Sequence, residues 1–388
     1  MITTHLALVP RDALFFKDGR GWFTSETGRG HALEWPYPST VRGALRAVWG
    51  RRCEGARAFT AQQWRDRTET IALRAMLALR RPWSAASGPS RWESVWPVPG
   101  DILIPARGEP VRLSPRPRDP AIQTLGRRDR HDPADAREQL WTPPPVGKNK
   151  PGERPRWWSE SQLFAWIADK KPERGDPPRL HRRMQTHVTI SGDTGAAADE
   201  QLFSHELVET LDRDHEWAIG CQVELPSNDL VDTATLGSDS RLARVEHLDA
   251  GCFAPPNVLR RAFEKMPGGL RLLVVTPCAF KCGWLPDGFA CDAQRREFRG
   301  QLPGVDGELV LRAAFIDRPL GVSGWDMQLR AAKPTTRLVP PGAVYFFVRA
   351  DGKPFTPTEA ENLWLVALGD RTGEGFGRVV PGIWNPES

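Results

Sequence analysis

Apolar and polar positions along the chain alternate between extended runs and amphipathic helices, the signature of an α/β or α+β fold. The clearest extended runs are His5 to Leu8, Trp217 to Leu225, Leu270 to Thr276, Leu309 to Ile316 and Ala343 to Arg349. Three helices are equally marked. Behind Pro38, Ser39 is a natural N-cap, and Val41, Ala44, Leu45, Val48 and Trp49 recur at helical spacing, with Arg42 and Arg46 one turn apart on another face. A second helix spans Asn257 to Met266, buries Val258, Leu259, Ala262, Phe263 and Met266, and is stopped by Pro267-Gly268-Gly269. The third opens with a capping box of Thr356 and Glu359 around Pro357, carries Ala360, Leu363, Trp364, Ala367 and Leu368 as its stripe, and ends at Gly369. A break near Asp232 to Gly237 separates two halves. The expected fold is α+β, each half a small sheet covered on one face by two helices, a count that two ferredoxin-like (RRM-like) βαββαβ units satisfy.

One stretch does not fit this rhythm. From Pro105 to Pro178 the chain is rich in Pro, Arg and Gly with few periodic apolar positions, and it reads as an inserted long loop outside the core. Its one ordered-looking piece is Trp158 to Ala168, where Ser159 and Gln162 form a capping box and Leu163, Trp166 and Ile167 share a helical face. No internal repeat of fixed period is present.

Composition narrows the class of protein. The 388 residues allow two or three domains with ample core, and two is the simpler division. Leu6 to Val9 is too short for a signal peptide, and no run approaches the roughly 18 apolar residues of a membrane helix, so a cytoplasmic protein is expected. Cys53, Cys221 and Cys252 are isolated, and Cys278, Cys282 and Cys291 match no common zinc spacing; buried reduced thiols are the expected reading, with no metal and no cofactor. The 53 basic residues, 44 Arg and 9 Lys, exceed the 48 acidic ones by only five. They are unevenly placed. Val41 to Arg91 holds only Glu54, Asp66 and Glu69 as acids, whereas Asp193 to Asp232 holds only Arg213 as a base. The basic region offers an electrostatic footprint for a polyanion, and the acidic one faces a protein partner or solvent.

Four segments use residues in ways a core does not require. Phe15-Phe16-Lys17-Asp18-Gly19-Arg20 joins two aromatics to two cations, suited to a nucleic-acid strand or else to a core edge followed by a turn. Trp35-Pro36-Tyr37-Pro38-Ser39-Thr40-Val41-Arg42-Gly43 leads into a helix N-terminus, where free N–H groups favour phosphate or simply take a cap. Arg182 to Ile190 runs into the Gly-rich tip Ser191-Gly192-Asp193-Thr194-Gly195, a projecting hairpin with a basic base, in which His187 is more often structural than catalytic. Gly373-Glu374-Gly375-Phe376-Gly377-Arg378 follows a helix and precedes a strand, the reverse of a Walker or dinucleotide loop. Its glycines permit close approach to another backbone, either RNA or the facing sheet.

In order, these segments resemble the RAMP superfamily of CRISPR proteins. Together with Thr276-Pro277, Gly283-Trp284-Leu285-Pro286, Gly324-Trp325-Asp326, Lys333-Pro334 and Val339 to Phe347, the series looks like Cmr subunit three of type III-B effectors. The departure from that pattern is the long arginine-rich insertion. The resemblance implies two ferredoxin-like domains, 1–232 with the insertion at about 105–178 and a thumb at about 187–216, and 233–388 with a Gly-rich loop at 373–377. It implies a non-catalytic subunit of an antiviral ribonucleoprotein that holds the 5′ tag of the crRNA. Its expected partners are the large polymerase-cyclase subunit and the first backbone subunit, with target RNA met indirectly and no membrane. Lys17, Arg20, Ser39, Thr40, Arg42 and Arg46 would form the tag cradle, and Gly373, Gly375, Phe376, Gly377 and Arg378 a second wall. His187 and Thr189 would mark the thumb base, with Arg241, Lys281 and Lys333 as further RNA contacts. Such a tag is gripped through backbone contacts and splayed bases, while guide pairing carries target specificity. Two readings compete: a metal-independent RAMP endoribonuclease using His187, His181 or His31, and a scaffold that touches no RNA.

Overall fold

The computed structural model describes all of the chain except residues 18–28, 31, 55–57, 84–90, 119–138, 147–150, 172–174, 327–330 and 387–388. In chain order its first part comprises β1 (Ile2–Pro10), α1 (Pro38–Glu54), α2 (Ala61–Thr68), β2 (Ala72–Pro82), β3 (Glu93–Pro97), β4 (Trp157–Trp158), α3 (Glu160–Ile167), β5 (His181–Ile190), β6 (Ala197–Glu209), β7 (His215–Leu225), β8 (Thr233–Thr235) and β9 (Leu242–His247). The second comprises α4 (Asn257–Phe263), β10 (Gly269–Val274), β11 (Phe289–Asp292), β12 (Glu297–Gly300), β13 (Leu309–Phe315), β14 (Val344–Arg349), α5 (Pro357–Leu363) and β15 (Val379–Trp384).

Two large sheets, antiparallel at every pairing, make the chain α+β. The seven-stranded sheet runs β8-β9-β1-β7-β2-β3-β4 and the six-stranded one β11-β12-β13-β14-β10-β15. In each, four adjacent strands stand in the order fourth, first, third, second: β9-β1-β7-β2 and β15-β10-β14-β13. The element order departs from βαββαβ. Only loop, a 3-10 turn and β8 join β7 to β9, and a β11–β12 hairpin joins β10 to β13, so each half lacks one crossover helix. In the second half α4 precedes β10 and lies against α5, Arg260 reaching Glu361 at 3.0 Å. Residues 233–247, expected to open the second half, supply β8 and β9 to the first sheet.

The first sheet is buried on both faces. Leu6, Leu8, Met76 and Ile219 pack under Val41, Leu45 and Val48 of α1. On the other face Ala7, Val9, Ala75, Leu77 and Leu79 join one continuous core with Leu270, Leu272, Phe346 and Phe347 of the second sheet. Part of the insertion is core. The Ser159–Gln162 capping box forms as the sequence predicts, but Trp158, Leu163, Trp166 and Ile167 are at most 1 % exposed within that shared core. Trp166 lies so close over β15 that a Cβ on Gly382 would fall 2.7 Å from its ring. The helix is where the sequence places it; its burial in the shared core is what the surrounding prolines and arginines obscured.

Arg271 of β10 lies under that helix, fully buried. It stacks on Trp166 at 4.1 Å, donates to Asp101 Oδ2 at 2.7 Å and to the Trp166 carbonyl, and meets Asp169 at 3.1 Å. Trp166 Nε1 donates to the same Asp101 carboxylate at 2.8 Å. Burial pushes the Asp101 carboxyl up and the Arg271 guanidinium down, and their mutual attraction opposes both shifts. Of the cysteines, Cys221 and Cys278 are buried with thiols pushed up by desolvation; Cys282 and Cys291 are exposed, against the expectation of buried thiols.

Candidate nucleic-acid interface

The first expected wall surrounds the start of α1. The helix begins at Pro38, a residue suited to the first helical position, so Ser39 lies inside the first turn instead of capping it. The amides of Thr40 and Val41 reach back to the Tyr37 carbonyl at 3.0 and 3.4 Å, and the Tyr37 hydroxyl donates to the Gly321 carbonyl at 2.9 Å. Ser39 and Thr40 are half-buried. The two arginines are already engaged: Arg42 donates to the carbonyls of Ile71 (2.7 Å) and Glu69 (2.6 Å). Arg46 donates to Thr68 Oγ1 at 3.0 Å and meets the Glu69 carboxylate at 3.3 Å. Both staple α1 to the turn that enters β2. Burial lowers the Arg46 pKa, and Glu69 partly restores it.

The Gly-rich loop faces this wall. Gly375 (φ 94°) and Gly377 (φ 79°) sit in the left-handed region, where a side chain is strained. A Cβ on Gly375 would lie 2.9 Å from Leu73 and 3.1 Å from Pro38, so the glycine's close approach is to the first half of the protein itself. Thr276 Oγ1 donates to the Gly375 carbonyl and accepts from the Arg378 amide, both at 2.9 Å. Phe376 is fully buried. Arg371 lies 4.4 Å over its ring and forks onto Glu374 with two 2.9 Å bonds. Arg378 is 8 % exposed and donates to the carbonyls of Leu365 and Thr372 at 3.1 Å. Desolvation pulls its pKa down to about 10, leaving it cationic at neutral pH. Around Gly373 the space is open. Lys333 is exposed beside this loop, its amide on the Gly324 carbonyl at 2.8 Å, and it contributes with Arg42 and Arg371 to holding Glu374 low against the effect of burial.

A separate group gathers at the base of the β5–β6 hairpin. Phe15 and Phe16 are buried, as the plain reading of that segment has it. Lys17 is half-buried and bridges Ala32; Arg20 and His31 lie outside the described residues. His187 stacks on Phe203 at 5.3 Å, His205 stacks on Phe15 at 4.5 Å, and the two imidazoles are 5.3 Å apart. Among the described residues neither His187 Nε2 nor His205 Nδ1 has a hydrogen-bond partner. Burial lowers the His205 pKa, keeping it neutral. Arg241 pairs with Asp239 at 3.6 Å. His205 escaped the sequence reading, although pairing the hairpin strands in register sets it opposite Gln185 and beside His187. Thr189 is exposed further along the hairpin, and Lys281 is exposed on a distant turn closed by Asp287.

The charge segregation has an internal cause. Because β7 pairs with β2 and β6 with β5, acids of the later segment meet arginines of the earlier strands: Glu224 with Arg74 (2.6 Å), Glu216 with Arg81 (2.5 Å), Glu206 with Arg182 (2.8 Å) and Glu209 with Arg183 (2.5 Å). Within the basic region Arg74 and Arg81 are thus neutralised across strands.

The chain is a CRISPR-associated protein. The family model described as "CRISPR-associated protein (Cas_Cmr3)" matches residues 6–384, and the chain belongs to that family. No curated protein matches it in sequence. Among solved structures, a chain of "Cryo-EM structure of the Type III-B Cmr-beta bound to cognate target RNA" is similar at 12 % identity and TM-score 0.42, over 88 % of this chain and 86 % of that one. A chain of the complex bound to cognate target RNA and AMPPnP, state 1, gives 13 % and 0.41 over the same shares. A chain of the apo state gives 9 % and 0.23, over 64 % of this chain and 98 % of that one.

Proposed function

We propose that this chain is the non-catalytic subunit of a type III-B Cmr effector complex that holds the 5′ tag of the crRNA and docks the large polymerase-cyclase subunit and the first backbone subunit. The observation that carries the reading is the family match across almost the whole chain. The strand order of both sheets supports two ferredoxin-like units, each lacking one helix, with the boundary after β9 near residue 248 instead of near 232. The exposed β5–β6 hairpin suits the thumb that parts tag from guide, a role requiring shape more than reactive groups. Among the residues first expected to touch RNA, exposed Lys333 and Lys281, the open backbone at Gly373, and Thr189 are the available contacts. Arg42, Arg46, Phe376 and Arg378 support them from within. Arg337, exposed on the short strand Thr336–Leu338 near Lys333, joins the set.

The test is binding and cleavage of labelled crRNA, with and without its tag, by the assembled complex and the isolated chain across a salt series. Tag-dependent retention without cleavage is expected. Lys333→Ala with Arg337→Ala should weaken it about tenfold and reduce the log–log salt slope by about 1 to 1.5, as loss of two phosphate contacts on a single strand requires. Metal-independent cleavage lost with His187→Ala would overturn the reading in favour of a processing enzyme. Binding without RNA dependence would leave a scaffold.

A further inference from the structure

Gln185, His187, Phe203 and His205 share one face at the base of the β5–β6 hairpin. The register sets Gln185 opposite His205 and His187 opposite Phe203, and residues two apart on a strand point the same way. All four are half-buried. Among the described residues, Gln185 Oε1, His187 Nε2 and His205 Nδ1 are each shut off from solvent and without a hydrogen-bond partner. Leaving even one buried polar atom unpaired is costly, and three on neighbouring positions point to something that joins them. The imidazoles are also held in place. His187 stacks on Phe203 and His205 on Phe15, each with 11° between the planes, so neither ring is free to swing toward water. Their centroids lie 5.3 Å apart. With metal–nitrogen bonds of about 2.0–2.1 Å, two imidazoles on one tetrahedral ion hold their centroids roughly 5 to 5.5 Å apart. Asp239 and Arg241, within electrostatic reach of His205 from the link between β8 and β9, pair with each other at 3.6 Å, so their charges offset.

We propose that this face is a metal site, in which His187 Nε2, His205 Nδ1 and Gln185 Oε1 bind one divalent transition-metal ion of the Zn²⁺ type, with water completing the tetrahedron. Two imidazoles select such an ion over Mg²⁺ or Ca²⁺, which take oxygen shells. The stacked phenylalanines act as the outer support that fixes ring orientation in a metal centre. Bound there, the ion ties β5 to β6 at the root of the hairpin, whatever the outer part of the hairpin touches. The ligands are far apart in the chain and only the hairpin register brings them together, so no zinc spacing announces them. A bridging water would satisfy the same three atoms and is the alternative the experiment must separate.

The full chain, stripped with a chelator, is titrated calorimetrically with Zn²⁺ and, for an optical readout, with Co²⁺. One ion per chain is expected, with about micromolar affinity or tighter and a raised melting temperature. The Co²⁺ form should show the visible bands of a four-coordinate nitrogen–oxygen shell and no thiolate charge-transfer band. His187→Phe and His205→Phe keep each ring stacked but remove its nitrogens. Each should weaken binding about a hundredfold or more, since changes in the outer shell alone cost about ten to a hundredfold. Gln185→Leu should weaken it about tenfold. Melting curves of the metal-free variants report whether they fold, and zinc-edge X-ray absorption on the wild type, which needs no variant, should count two imidazoles and no sulfur. His181→Ala, in the His181–Asp212–His215 group at the start of β5, should change nothing. Failure to bind Zn²⁺ below millimolar concentration would overturn the proposal and leave a bridging water. Binding that survives both phenylalanine variants, or that is lost with His181→Ala or with Cys282→Ser at an exposed thiol, would also overturn it.

Discussion

Arg271 is the residue on which the interior most depends for electrostatic balance, because Asp101 beside it is equally buried. Arg271→Ala is expected to cost about 3–5 kcal/mol by stranding that carboxylate, read as a lowered midpoint in urea. Arg271→Lys should restore little, since an ammonium cannot fork onto Asp101 and stack on Trp166 at once. The same property explains why several candidate site residues are engaged within the protein. Arg42, Arg46 and Arg378 were singled out as phosphate contacts by type and by proximity to a helix start or glycine run, yet they donate to carbonyls and hydroxyls of residues 68–71, 365 and 372. Those acceptors exist only once distant loops have come together, so no local pattern announces them. Acid sensitivity is also a residue-scale property. The bond from Arg74 holds the Glu224 carboxyl below its ordinary 4.5. For Glu359 burial pushes upward, but donors from Arg349, Thr356 and the Asp306 amide outweigh it and the net shift is downward. The stability these carboxylates contribute is present above about pH 4.5 and is lost as pH falls through their lowered folded values. The melting temperature should drop between pH 7 and 3.5, and by less in Glu359→Gln than in the wild type.

At the scale of elements, the outer part of the β5–β6 hairpin is exposed, with Val188, Ile190 and Leu202 facing solvent. Replacing residues 188–202 by Asn-Gly, which joins the paired His187 and Phe203 through a two-residue turn, removes the exposed side chains of Val188, Ile190 and Leu202. The melting temperature should shift by no more than about 2 °C. Affinity for crRNA bearing both tag and guide should fall, while affinity for the tag alone should not. How far each element was legible followed its local signals. Capping boxes at Thr356 and Ser159 and the apolar runs of β7, β10 and β14 read correctly, because their signals lie within a few residues. β2 did not. Its sequence Ala-Leu-Arg-Ala-Met-Leu-Ala-Leu-Arg-Arg favours helix, and, being covered on both faces, it shows no alternation. Tertiary contact overrides propensity there, and the strand that pairs with β7 along its whole length was missed.

For the molecule as a whole, the shared core makes the two halves mutually dependent. Residues 1–247 made alone would expose Ala7, Val9, Ala75, Leu77 and Leu79 as one apolar face. The fragment is therefore expected to be insoluble, and the full chain to unfold in one urea transition seen alike by fluorescence and circular dichroism. Separately soluble halves would contradict this. The pairing of Ile2 with Leu225 carries a consequence in time. At about 5–20 residues per second of synthesis, β1 leaves the ribosome on the order of ten to forty seconds before β7 exists. It then waits longer for the second sheet to cover its other face. Throughout that interval the nascent chain has two open strand edges, so the newborn chain needs shelter until its own later strands arrive.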